Sequence, residues 1–159
     1  MEMLPLDYMN IALGLAREGE KNGEVPVGAI IEFDGKIVGE GFNCPVSTSD
    51  PSGHAEIIAI REAGKNFGNY RLSGSVLYVT LEPCIMCYSV AVHARIKKIY
   101  YGADDPKGGI FSTGAFESIG YLYNHRIEIE SGVLADESSE LLKNFFRNRR
   151  GRDSNPGDL

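Results

Sequence analysis

The chain has 159 residues, 43% of them hydrophobic. That fits one globular domain with a full core, and no run of about 18 apolar residues is present to cross a membrane. A net charge of −6 excludes broad, nonspecific nucleic-acid affinity, because phosphate binding depends on clustered Lys and Arg.

Tyr8, Ile11, Ala12 and Leu15 are spaced for one helix face, and Asn22-Gly23 offers a stop. VGAIIEF and KIVGEGF follow as two β-rich runs separated by Asp34-Gly35, a strong hairpin signal. A loop is expected from Asn43 to Gly53, which is rich in Pro, Ser, Thr and Asp, and then a helix from about His54 to Lys65. VLYVT, Val76 to Thr80, reads as a strand buried in a parallel sheet. A helix from about Cys84 to Arg95 and the strand KKIYYG complete a βαβ unit, whose crossover is almost always right-handed. After a loop from Ala103 to Ser112 come a short helix, the strand RIEIE and a C-terminal helix from about Asp136 to Arg150. The sum is one α/β domain, residues 1–152, with a mixed sheet and helices on both faces. Residues 153–159 are polar, with Pro and Gly, and are expected to form a disordered tail.

The acidic N-terminus, MEMLPLDYMN, lacks the basic and apolar regions of a secretion signal, so a cytoplasmic location is expected. In that compartment three cysteines point to metal binding or catalysis rather than a disulfide framework. Cys84 and Cys87 lie three apart, roughly 300° around a helix, and so share a face at its first turn. A helix N-terminus favours negative charge and therefore thiolates. His54 supplies a third donor. Glu56, two positions on, is roughly 200° away on a helix, so the two can approach one metal only at a helix end. Asp50-Pro51-Ser52-Gly53 provides such an end.

Three protein ligands suit a catalytic zinc, which keeps one position for water, whereas structural zinc takes four. Cys44 is the rival fourth ligand, and His93, about 240° from Cys87 on one helix, points elsewhere. An open site is the favoured reading. Zinc would lower the pKa of a bound water towards 7. Glu56, beside that water and off the metal, is then the candidate to take its proton and pass it to a leaving group.

The pattern H-x-E (His54, Glu56) with P-C-x-x-C (Pro83, Cys84, Cys87) resembles the zinc nucleobase deaminases. EVPVGAI, N-C-P, DPSGHAEIIAIREAG, NYRL, LYVTLEPCIMC, HARI, YGADDPKGG, NHRIEI, GVLADE and FFRNRR together resemble the bacterial tRNA-specific adenosine deaminases, from about Tyr8 to Arg150. The resemblance implies a cytidine deaminase-like, three-layer α/β/α fold with a five-stranded mixed sheet. It also implies one Zn2+ per chain, a homodimer, and deamination of the wobble adenosine of a tRNA anticodon stem-loop to inosine. By motif match Asn43, Asp105 and Asn124 would line the nucleoside pocket, and Phe145, Phe146, Arg149 and Arg150 would meet the stem-loop by stacking and phosphate contact.

Tyr88, Ser89 and Val90 depart from the small residues commoner after the second cysteine, which predicts a change in the pocket floor or the helix packing. Gly53 replaces an alanine, and VSTSD carries no basic residue. Two other readings compete. A deaminase of free bases, nucleosides or nucleotides would not need the basic FFRNRR terminus. A noncatalytic zinc module would close its site with Cys44 and dispense with Glu56.

Overall fold

The computed structural model describes residues 2–153. Helix α1 (Pro5–Lys21) begins three residues before the apolar periodicity does. Pro5 sits in its first turn, and Asp7 Oδ2 accepts the Leu4 N–H at 2.8 Å, two devices that suit a helix start. Asn22 caps its end as expected.

Strands β1 (Gly28–Phe33) and β2 (Lys36–Phe42) form the predicted hairpin. Asp34 and Gly35 both have positive φ, 52° and 79°, as a two-residue turn matched to strand twist requires. Strand β3 (Val76–Leu81) pairs antiparallel with β1, and β4 (Lys98–Ala103) and β5 (Glu128–Ser131) then add in parallel, giving the order β2-β1-β3-β4-β5. The mixed five-stranded sheet is thus as anticipated, although β5 begins two residues after Arg126.

Helices α3 (Ala55–Phe67) and α4 (Ile85–His93) cover one face. There Ala55, Ala59, Ala63, Tyr88 and Ala91 pack on Ile31, Leu77, Val79 and Ile99. Tyr8, Met9 and Ala12 of α1 cover the other face over Ile30 and Tyr78. A fully buried isoleucine such as Ile31 contributes roughly 1.5–3 kcal/mol through its removal from water. Gly39 and Gly41 of β2 lie so close under α3 that a side chain at either would collide with helix backbone, at Ala59 and Ala55 respectively. The backbone of α3 therefore rests directly on the sheet.

The segment from Asn43 to Gly53, expected as a loop, contains a short helix, α2 (Pro45–Thr48). Its exposed amides are satisfied from a distance, because the Glu24 carboxylate accepts the N–H groups of Val46 (3.2 Å) and Ser47 (2.7 Å). Helix α4 stops two residues short of the expected Arg95, which takes a left-handed conformation and donates to Val92 O at 3.0 Å. The predicted short helix is α5 (Ala115–Ile119), continued by a 3₁₀ turn (Gly120–Leu122). Helix α6 runs over Ala135–Asp153, beyond the expected Arg150. The rest of the expected tail, 154–159, lies outside the described residues. Among the described residues no helix is long and apolar enough to cross a membrane.

Candidate metal centre

His54 is the N-cap of α3, Cys84 is the N-cap of α4, and Cys87 is the third residue of α4. The two helix starts face each other, so His54 Nδ1 lies 3.6 Å from Cys84 Sγ and 3.4 Å from Cys87 Sγ. All three donor atoms lie within 4.8 Å of one another. A tetrahedral zinc with Zn–S near 2.3 Å and Zn–N near 2.05 Å places neighbouring N and S ligands about 3.5–3.6 Å apart. The imidazole and the two thiols therefore fit zinc in both donor chemistry and spacing.

The electrostatics suit the same cation. The hydrogen bond from Cys87, helped by His54, holds the Cys84 thiol down at about 4 against the cost of burial. The Cys84 sulfur in turn raises His54, and its hydrogen bond together with burial raises Cys87. Zinc takes cysteine as the thiolate, so its binding would draw the proton off Cys87. Cys44 is not in the triangle. It is buried as the N-cap of α2 and borders a separate cavity of about 420 Å³ with Leu15, Phe42 and Ile58. His93 is exposed, and His125 Nε2 lies 2.8 Å from Ile96 O.

Glu56 is the second residue of α3 and only 4% exposed. Burial raises its carboxyl to about 7, and its side chain hydrogen-bonds with Cys87. The 200° separation from His54 is resolved because His54 precedes the helix: its backbone is extended while Glu56 is already helical. Both side chains thereby reach Cys87.

Asn43 follows β2 directly, and its Oδ1 accepts the Ala55 N–H at 2.9 Å, which ties it to the start of α3 beside His54. Asp105 follows β4, whose parallel register pairs Ala103 with Leu81 and so brings the loop alongside Glu82, Pro83 and Cys84. Its Oδ1 accepts the N–H groups of Lys107 and Gly108, each at 3.2 Å. Asn124 is not brought to the triangle. It is exposed and accepts from Arg95 Nη1 at 3.3 Å, beyond the opposite end of α4 from Cys84. Phe145 and Phe146 stand edge to face on α6 with ring centroids 5.4 Å apart, Phe146 44% exposed, and Arg149 and Arg150 project from the next turn.

Tyr88 packs inward from α4. It is buried edge to face against Phe111, Phe116 and Tyr123, and Ser89 Oγ lies 2.8 Å from Tyr123 Oη. Two residues outside the expected set also matter here. Glu24 and Glu82 are carboxylates 1% and 3% exposed, and each holds a loop beside the centre. The available signal was an acid inside an otherwise apolar run, as in V-T-L-E-P-C and G-E-V-P-V-G, since a buried carboxylate needs several donors.

Known proteins are similar to this chain over most of its length. A tRNA-specific adenosine deaminase of Haemophilus influenzae is 49% identical over 143 residues, covering 89% of this chain and 83% of that one. The protein of the same description from Buchnera aphidicola is 44% identical over 145 residues, covering 90% and 94%. A solved structure from work on A-to-I editing by tRNA:A34 deaminases at the wobble position of transfer RNA matches with a TM-score of 0.82 and 41% identity, over 85% of this chain and 98% of that one. Residues 5–103, which hold the whole donor triangle and Glu56, match the cytidine and deoxycytidylate deaminase zinc-binding region, and the chain belongs to that family.

Proposed function

We infer that this enzyme deaminates adenosine to inosine at the wobble position of tRNA, with the names and structures of its relatives as the support for substrate. The observation that carries the chemistry is the His54–Cys84–Cys87 triangle with a buried carboxyl, Glu56, at its edge. His54, Cys84 and Cys87 would hold zinc, which would supply a water acidic enough to attack at neutral pH. Glu56 accepts a proton from the attacking water and delivers it to the amino group on C6 of adenine. The C6–N bond breaks, ammonia leaves, and the base retains oxygen at C6. A carboxyl held near 7 by burial suits both directions of that transfer, and a bound cation beside it would favour the ionised, proton-accepting form.

Asn43, bonded to the first residue of α3, and Asp105, in the loop after β4, are assigned to the flipped nucleoside. Asn124, with its link to Arg95, is the weakest member of the set. Phe145, Phe146, Arg149 and Arg150 are assigned to the stem-loop through ring stacking and phosphate contact. The same reading takes one zinc per chain, a single deaminase domain over 1–152 and a cytoplasmic homodimer. Tyr121 and Leu122, 82% and 67% exposed, offer apolar surface for a second copy.

The test is incubation of the purified protein with an anticodon stem-loop and, separately, with free cytosine, guanine and adenosine, followed by sequencing for inosine. Inosine at the wobble position is the expected result. Turnover of the free compounds alone would reject it.

A further inference from the structure

Glu82 links β3 to α4 and is 3% exposed. Its Oε1 accepts the Asp105 N–H at 3.0 Å and the Ser112 hydroxyl, and its Oε2 accepts the N–H groups of Phe111 and Ser112, each at 2.9 Å. All four donors belong to one loop, the stretch between β4 and α5. The backbone around Glu82 holds the loop and the strand end before it: Glu82 N–H donates to O of Ala103, the last residue of β4, at 2.8 Å, and Pro83 O accepts the Ile110 N–H at 3.0 Å. Gly109 lies so close to the carboxylate that any side chain there would overlap it. A buried charge is tolerated only when its hydrogen-bonding capacity is filled, and here one loop fills it. Cys84 is two residues further along the same segment.

We propose that Glu82 is a positioning residue that locks the 104–114 loop to the segment carrying Cys84, so that Asp105 stands at a fixed distance from the zinc centre. This rests on the assignment of Asp105 to the substrate nucleoside. Glu82 touches neither the reacting atoms nor the metal ligands. Its effect on editing passes through Asp105, so removing either side chain removes the same contact.

The test is the full-length zinc enzyme carrying Glu82→Gln, which keeps the size of the side chain but turns an N–H group towards donors. The expected result is unchanged zinc content and about tenfold faster hydrogen exchange at the amides of Asp105, Phe111 and Ser112. KM for the anticodon stem-loop should rise about tenfold with a smaller change in kcat, and the double variant with Asp105→Ala should lose no more than Asp105→Ala alone. Ser112→Ala, which removes one donor and leaves the carboxylate, should loosen the same three amides to a lesser degree and serves if Glu82→Gln fails to fold. Unchanged exchange at those amides, losses that multiply in the double variant, or loss of zinc in step with activity would each overturn the proposal. Absence of editing by the unmodified enzyme would instead reject the tRNA reading, and the exchange measurement would still report on Glu82.

Discussion

His54 Nδ1 and Cys87 Sγ are 3.4 Å apart although 33 positions separate them in the chain. Each belongs to the first turn of a different helix, so a cation between them joins α3 to α4. Chelation of zinc should therefore lower the melting temperature by roughly 10 °C and abolish deamination. Thermal melts before chelation, after it and after zinc is restored check both effects, which should reverse together.

Cys44 lies outside the donor triangle and borders a separate cavity. Cys44→Ser should keep its full complement of zinc, read by elemental analysis of the purified protein. Loss of the metal would mean that a fourth protein ligand closes the site.

Glu56→Ala should retain zinc and fold, because Glu56 stands outside the donor triangle. Turnover should fall by at least 10²–10⁴-fold, roughly the range for loss of a general acid–base group. Single-turnover assays on a stem-loop, beside metal analysis, measure the two properties separately.

Glu24 sets a pH dependence on stability. Burial pushes its carboxyl up, but the Ser47 hydroxyl and the N–H groups of Ser47 and Val46 outweigh that and leave it below the ordinary 4.5. A folded-state value below the unfolded one stabilises fully above about 4.5 and fades as pH falls through the lower folded value. At pH 7 Glu24→Gln should cost about 2 kcal/mol through weakened charge-assisted bonds. The gap in melting temperature between the variant and the parent should narrow steadily below about pH 4.5.

Arg149 and Arg150 lie on the last turns of α6 with exposed side chains. Their joint replacement by alanine should weaken binding of the stem-loop and flatten its dependence on salt. Each lost phosphate contact reduces the slope of log affinity against log salt by about 0.7–0.9. Turnover of saturating substrate should change little.

The triangle was legible in the sequence because the three-residue spacing of Cys84 and Cys87 brings both to one helix start, and a proline-glycine loop marks the start of α3 beside His54. The sheet was legible for a similar reason: Asp34-Gly35 specifies its turn, and the apolar run at 76–80 can sit only inside. Helix α2 was not, because the carboxylate that supports it, Glu24, is 22 positions upstream of Val46. Glu82 escaped notice in the same way, with partners 23 to 30 positions downstream. Local patterns carry no record of such pairings. Tyr88 stands out in the sequence, but its place among Phe111, Phe116 and Tyr123 depends on how the stretch from 110 to 123 folds back on α4.

The direct seat of α3 on Gly39 and Gly41 leaves no cushion of side chains beneath the helix that carries His54 and Glu56 at its start. A shift of the hairpin is transmitted undamped to the imidazole and the carboxylate, so tolerance of change must be concentrated at the rim. A new substrate preference would accordingly be reached by editing the loops around the donor triangle, and an attempt to rebuild the seat of α3 would cost metal binding first.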